Sequence, residues 1–242
     1  MDALQKAAVV IFVLVIAKIF VYKIFFKEEI RAALERDPAA TGVLIVILTY
    51  PGLHALFYHR VARALYLWKV PFLPRFVSQF GRWLTGIEIH AGATIGKGLF
   101  IDHGMGVVIG ETTVIGHNVT LFQGVTLGGT GKQKGKRHPT LGDNVVIGAG
   151  ACVLGDIRIG DNVSVGANAV VVRDVPSHST VVEVPGRITS REGKKVPGIN
   201  LDHSSLPDPM MQALSKLQHE IDKIERELKD FGVEHKDKPN KK

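Results

Sequence analysis

The chain has 242 residues, 45% hydrophobic and 22% charged, a composition that belongs to a folded protein and excludes a disordered one. Its formal charge of +7 suits an anionic ligand or a membrane surface, and its single cysteine, Cys152, excludes an intramolecular disulfide and a cysteine metal cluster. No recognition-helix or finger spacing accompanies the charge, and no basic stripe is interleaved with aromatics, which argues against nucleic acid.

Residues 7–26 form a nearly unbroken apolar run, about long enough to cross a bilayer as a helix. Lys18 and Lys23 interrupt it. Lys23 lies near the end and can reach the interface along its stem; Lys18 is harder to place. No small-residue cleavage site follows, which argues against a removed signal peptide. Basic residues crowd the C-terminal flank (Lys23, Lys27, Arg31) against Lys6 on the other side, a bias that leaves the main body in the cytoplasm. We therefore expect residues 1–27 to tether a cytoplasmic protein to the inner face of the membrane. The alternative is a soluble apolar helix packed on a partner subunit.

Residues 28–85 read as a short helical domain. Its first helix, Glu28 to Arg36, carries acids in the first turn and arginines later, as the helix dipole favours, and Asp37-Pro38 interrupts it. A second helical stretch starts near 41, kinks at Pro51-Gly52 and runs to Trp68; a short third one leads from about Arg75 to Gly86. His54 and His59 miss the i,i+4 spacing of a metal pair and are expected at the surface or at a subunit contact.

Residues 86–195 read as the next domain, and within it the stretch from Glu88 to Val172 repeats every six residues. Aliphatic anchors stand at Ile89, Ile95, Ile101, Ile109, Ile115, Leu121, Leu127, Leu141, Ile147, Val153, Ile159, Val165 and Val171. Glycine follows many of them, and the position two before is mostly small or β-branched. Residues i and i−2 of a strand share a face, so each hexad offers two inward side chains and then a turn, for which the glycine is expected to supply unusual φ values. Such a short fixed period predicts a parallel β-helix of hexapeptide repeats. Two intervals depart from six: eight from Ile101 to Ile109, and fourteen from Leu127 to Leu141. The second must leave the coil as a protruding loop, residues 129–140, glycine-rich and basic. After Val172, turns and a closing edge are expected over the open coil end.

Residues 196–208 read as a linker. Over 209–232, Met210, Leu214, Leu217, Ile221, Ile224, Leu228 and Phe231 alternate four and three apart, the pattern of a short coiled coil, with a solitary amphipathic helix on the β-helix as the alternative. Residues 233–242 read as a disordered charged tail.

Polar breaks in the repeat mark the chemistry. Asp102-His103 replaces the glycine after anchor Ile101, where the long interval begins, and titratable groups at irregular backbone are commonly functional. Glu88 and His90 flank the first anchor, Ile89; a carboxylate close to an imidazole would make His103 a good general base. Three hexads per turn put positions about eighteen apart on one face, so stacking of Glu88 with His103, fifteen apart, is plausible without being fixed by counting. The loop adds Arg137-His138; an arginine fork matches a carboxylate, which suggests a small acid as substrate. A phosphate loop is disfavoured, because Gln133 follows Lys132 and Thr126 stands where that motif needs glycine.

Taken together, RDPA (36–39), HAL (54–56), GIEIH (86–90), IDHGMGVVIGET (101–112), QGVTLGGTGK (123–132) and KRHPTLGD (136–143) resemble the bacterial serine O-acetyltransferases, within the left-handed β-helix acyltransferases. The likeness covers about residues 28–205. It implies a mainly β fold, a left-handed parallel β-helix preceded by a short α-helical domain and followed by a C-terminal helix. It also implies acetyl transfer from acetyl-CoA to L-serine, giving O-acetyl-L-serine for cysteine synthesis, without a metal. By motif, His103 corresponds to the general base and Glu88 to its carboxylate partner. Asp37, Asp102, Arg137 and His138 correspond to the serine-binding set, with Arg137 on the carboxylate and the aspartates on the ammonium. Gly129, Thr130, Ala149 and Ala167 correspond to the coenzyme A groove between neighbouring subunits, and cysteine is expected to compete with serine.

The helical domain is shorter than in long family members, so a homotrimer is expected and not a hexamer. The family often plugs O-acetylserine sulfhydrylase with a C-terminal isoleucine; Lys242 does not support that partnership. Competing readings are a hexapeptide acetyltransferase acting on a sugar or antibiotic hydroxyl, a metal-dependent carbonic anhydrase on the same coil, and a membrane-tethered scaffold. The first leaves Asp37, Arg137 and His138 together unexplained. The second lacks histidine pairs at matching coil positions, and the third has only the apolar N-terminus in its favour.

Overall fold

The structure, a computed structural model, describes residues 3–131, 134–184, 186–192, 194–195 and 220–224. Five helices precede the coil: α1 Ala3–Phe25, α2 Lys27–Arg36, α3 Val43–Thr49, α4 Pro51–Leu67 and α5 Leu73–Thr85. The expected Pro51-Gly52 kink is a full break. Tyr50, before the proline, takes an extended conformation (φ −83°, ψ 110°), so α3 ends and α4 begins with Pro51 in its first turn.

The hexads form a coil of short strands. The first turn is β1 Glu88–Ile89, β2 Thr94–Ile95 and β3 Phe100–Ile101; the second is β4 Val108–Ile109, β5 Val114–Ile115 and β6 Thr120–Leu121. The third is β7 Thr126–Gly128, β8 Thr140–Leu141 and β9 Val146–Ile147; the fourth is β10 Cys152–Leu154, β11 Arg158–Ile159 and β12 Ser164–Val165. Then follow β13 Val170–Val171, β14 Ser179–Val182, β15 Arg187–Arg191 and β16 Lys194–Lys195. Every third strand pairs in parallel, giving three faces: β1-β4-β7-β10-β13, β2-β5-β8-β11, and β3-β6-β9-β12-β14. Antiparallel β15 covers the last strand of the third face, as the open-end argument expects.

Register shows where the coil is interrupted. Glu88 pairs with Val108, Val108 with Thr126, Thr126 with Cys152, and Cys152 with Val170, so successive turns take 20, 18, 26 and 18 residues. The extra two residues fall around His103, the extra eight in the loop before β8. Inside the prism the anchors are almost wholly buried (Ile109, Leu121, Leu127, Ile147, Val153 and Ile159 at 0%), each contributing about 1.5–3 kcal/mol relative to exposure.

The glycines after the anchors do a different job from the one expected. Gly96 and Gly142 are not at positive φ; a Cβ on Gly96 would stand 2.4 Å from Gly116 O, and one on Gly142 2.9 Å from Asp161 N. They are glycine because the next turn lies against them. The left-handed corner residues come two positions later and are often asparagine: Asn118, Asn144, Asn162 and Asn168 have φ of 56–57°.

The helices cover the start of the coil through arginines that reach its backbone carbonyls. Arg36 donates to Gly98 O, Val119 O and Thr120 Oγ1; Arg63 donates to Gly92 O, Ala93 O and Thr94 Oγ1. Ser78 donates to Ile89 O, and buried Glu29 accepts from Arg60 and from Gly98 N–H. His59, expected near the surface, is only 3% exposed, because α4 packs that side against the coil. His54 Nε2 lies 2.9 Å from Ile47 O and 3.2 Å from Lys18 Nζ, so the awkward lysine of α1 faces a polar partner within the helical domain.

Much of α1 is bare: Val9 to Leu14, Ile16 and Phe20 are all at least half exposed, whereas Tyr22 and Phe26 stack near Phe57 in the core. Among the described residues no single helix is long and apolar enough to cross a membrane; α1 and α2 meet that standard only as a pair bent by 87°. Residues 220–224 are helical and described by themselves; the rest of the expected 209–232 helix, the 196–208 linker and the 233–242 tail lie outside the described residues.

Candidate functional site

Candidate residues gather along two edges of the prism that border the same face. The edge leading from the third face into the first carries Asp102-His103, then Gln123, then Ala149 and then Ala167. Backbone bonds tie its successive rungs together: Gly124 N–H to Met105 O, Gly150 N–H to Gln123 O and Asn168 N–H to Ala149 O. The edge leading from the first face into the second carries His90, then Glu111-Thr112, then the loop with Gly129, Thr130, Arg137 and His138.

On the first edge the two-residue insertion turns the chain outward. His103 sits at φ 56° with Gly104 and Gly106 also left-handed, and its side chain is 74% exposed. Asp102 holds a carboxylate oxygen 3.9 Å from His103 Nε2. Asp37, at the end of α2, joins them. Together with Ala39, Thr49, Tyr50, Pro51 and Ile101 these residues line an open cavity of about 270 Å³. Tyr50 Oη donates to Asp37 Oδ2 at 2.5 Å and Ala39 N–H donates to Oδ1 at 2.8 Å. Those bonds, the phenol's first, hold the Asp37 carboxyl below the usual carboxylate range. Partial burial and the bond to Asp37 push the Tyr50 phenol up to about 12.

Glu88 is differently engaged from the expected pairing with His103. Its oxygens lie 3.0 Å from Arg82 and 3.8 Å from Arg75, both on α5, and the carboxylate nearest the imidazole is that of Asp102. The physical reason is the register: one coil turn places Val108 over Glu88, while residues 104–106 stack on Gly86 and Ile87. His103 thus belongs to the same edge, but the glutamate carboxylate is drawn towards the arginine pair.

On the second edge, Arg137 donates to Glu111 Oε2 at 2.7 Å. His138 is 7% exposed and presents Nδ1 to Thr112 Oγ1 at 2.9 Å, beside Arg137 and within the field of Lys136. Burial, reinforced by Arg137, holds its pKa below the ordinary value, so the ring is neutral near pH 7. Thr112 Oγ1 also accepts from the backbone N–H groups of Arg137 and His138, and Lys136 donates to Thr112 O. This web fixes the base of a loop whose residues 132 and 133 are outside the described part. Gly129 is confined by it: a Cβ there would stand 3.0 Å from His138 Nε2.

The structure therefore brings Asp37, Asp102 and His103 together with Ala149 and Ala167 further along their edge. It groups Arg137 and His138 with Gly129 and Thr130 on the other. Sequence reasoning missed Tyr50, Glu111 and Thr112. Glu111 and Thr112 follow an ordinary anchor-glycine pair, Ile109-Gly110, as Asp143-Asn144 follows Leu141-Gly142, so the repeat does not set them apart; Tyr50 is distinguished in sequence only by preceding a proline.

Residues 138–173 match the family model described as bacterial transferase hexapeptide (six repeats). A serine acetyltransferase of Bacillus pumilus is 54% identical over 202 residues, 84% of this chain and 93% of that protein. Among solved structures, the Neisseria gonorrhoeae serine acetyltransferase in complex with serine aligns with TM-score 0.65 and 44% identity, over 67% of this chain and 66% of that one. The Brucella abortus serine acetyltransferase in complex with coenzyme A aligns with TM-score 0.68 and 39% identity, over 70% of this chain and 68% of that one. The left-handed sense expected of the coil is that of these hexapeptide proteins.

Proposed function

The chain belongs to the serine acetyltransferase family, and from that membership we infer that it moves the acetyl group of acetyl-CoA onto the hydroxyl of L-serine, giving O-acetyl-L-serine. The observation that carries the residue roles is the division of charge between the two edges. One offers carboxylates beside an exposed imidazole; the other offers an arginine fork, a neutral histidine and a glycine loop.

Asp37 and Asp102 receive the ammonium, and Arg137 with His138 receives the carboxylate, an orientation that leaves the hydroxyl beside His103. His103 takes the hydroxyl proton as the serine oxygen attacks the thioester carbonyl, and returns it to the departing thiolate. Asp102 supports the imidazolium formed between those steps, and Glu88 contributes if its carboxylate leaves the Arg82 pairing on substrate binding. Arg137 must exchange Glu111 for the substrate carboxylate. Gly129, Thr130, Ala149 and Ala167 border the groove that takes acetyl-CoA, and backbone N–H groups there stabilise the oxyanion.

Both halves of this site border one face of the prism but occupy opposite edges of it. A homotrimer in which each edge meets the complementary edge of a neighbour completes the site, and this is the assembly we propose. We also propose that the bare apolar α1, with Lys23, Lys27 and Arg31 at its far end, tethers the enzyme to the cytoplasmic face of a membrane. The product would feed cysteine synthesis.

Thiol release from acetyl-CoA, measured with and without L-serine, tests the activity. Release that requires serine supports it; release that requires a sugar hydroxyl instead replaces it with the other hexapeptide chemistry. Fractionating cells that express the whole chain or residues 28–242 tests the tether. Recovery of both forms in the soluble fraction would remove that proposal.

A further inference from the structure

The break between α3 and α4 does more than turn the chain. By ending α3 in an extended residue, it aims the Tyr50 phenol at Asp37, thirteen residues earlier, with Oη 2.5 Å from Oδ2. Ala39 N–H holds the other oxygen at 2.8 Å. Each carboxylate oxygen accepts one bond and keeps a second lone-pair direction for an incoming ammonium. Tyr50 also lines the cavity that Asp37 shares with Asp102 and His103.

We propose that Tyr50 is a positioning residue for the acceptor substrate, holding the Asp37 carboxylate ionised and correctly turned for the α-ammonium group. The proposal rests on the serine acetyltransferase reading and adds to it the element that recognises an amino acid by its charged nitrogen. The phenol donates to the ionised carboxylate and has no comparable role towards a protonated one, so it favours the charged form. The lowered pKa of Asp37, whose largest cause is this bond, agrees with that. An acceptor with the hydroxyl and carboxylate of serine but no ammonium gains nothing from this arrangement.

Steady-state kinetics of Tyr50→Phe in the full-length enzyme test it. The phenylalanine keeps the ring and removes the donor. We expect the serine KM to rise about tenfold, as for a lost hydrogen bond to a charged group, with kcat and the acetyl-CoA KM within about twofold. A double-mutant cycle supplies the readout that a merely structural role would not give. In an Asp37→Asn background Tyr50→Phe should have almost no further effect on the serine KM, whereas additive losses would show that the phenol acts elsewhere.

Should Tyr50→Phe fail to fold, the carbon-13 titration of the Asp37 carboxyl in the unaltered enzyme, assigned by its loss in Asp37→Asn, decides the matter. A midpoint below the ordinary carboxylate range supports the proposal and a midpoint at or above it overturns it. An unchanged serine KM in a folded Tyr50→Phe enzyme also overturns it while leaving the activity intact. Absence of serine-dependent thiol release in the unaltered enzyme would instead overturn the reading beneath it.

Discussion

At the scale of single residues, His103 and His59 show how position in the fold sets the chemistry of two histidines. His103 is lifted off the coil at a left-handed φ, exposed and next to Asp102, which is where a proton acceptor can reach a substrate hydroxyl. His103→Ala should lower kcat by about 10²–10⁴-fold while oligomeric state by sedimentation stays unchanged. Retained turnover would take the base role from it. His59 is enclosed between α4 and the coil, facing Arg63, Arg60 and His90; burial first and those positive charges next lower its pKa to about 3. Such a group is neutral in the folded chain at pH values where it is already protonated in the unfolded one. Its contribution is intact above about pH 6.5 and is lost progressively as pH falls towards 3, by about 1.4 kcal/mol per pH unit inside that window. Urea midpoints measured across that range should fall less steeply for His59→Gln than for the unaltered chain; parallel curves would exclude His59 as a source of acid sensitivity.

At the scale of elements, the edges of the coil are governed by close approach. Gly110 lies under His138, and a Cβ there would stand 1.9 Å from the imidazole Cδ2, so no side chain fits without expelling the ring. Gly110→Ala should therefore reduce kcat/KM for serine by about tenfold or more, with the far-ultraviolet circular dichroism of the coil retained. Normal kinetics would mean His138 is dispensable. The same closeness explains what the sequence did and did not disclose. A period of six and its two exceptions are visible in residue types alone, because inward strands need aliphatics and insertions must leave the coil. Whether a corner glycine serves φ or serves contact is not visible, since both demands select the same residue, and only register distinguishes Gly96 from Gly98. Asp37, Asp102, His103, Arg137 and His138 stand out in the sequence through their motifs. The Glu88–Arg82 pairing does not, because it depends on how α5 lies on β1, and Tyr50 does not, because its partner is brought to it by a helix break.

At the scale of the whole molecule, the prism has three edges and each of its faces is bordered by two. The imidazole edge and the arginine edge border the same face, so one subunit presents both halves of the chemistry without joining them across its own surface. The closed threefold ring we propose would pair each imidazole edge with a neighbour's arginine edge and leave none unmatched, as heterologous contacts that close must do. This has a numerical consequence. In trimers assembled at random from equal amounts of His103→Ala and Arg137→Ala chains, about three quarters contain both variants, and each of those holds one intact junction in three. The random mixture should therefore restore about one quarter of the unaltered activity, and the purified mixed trimers about one third, although each variant alone is nearly inactive. Co-expression with two different affinity tags, tandem purification of the mixed species and a serine-dependent thiol assay measure it. No recovery in purified mixed trimers would place both halves of the site in a single subunit.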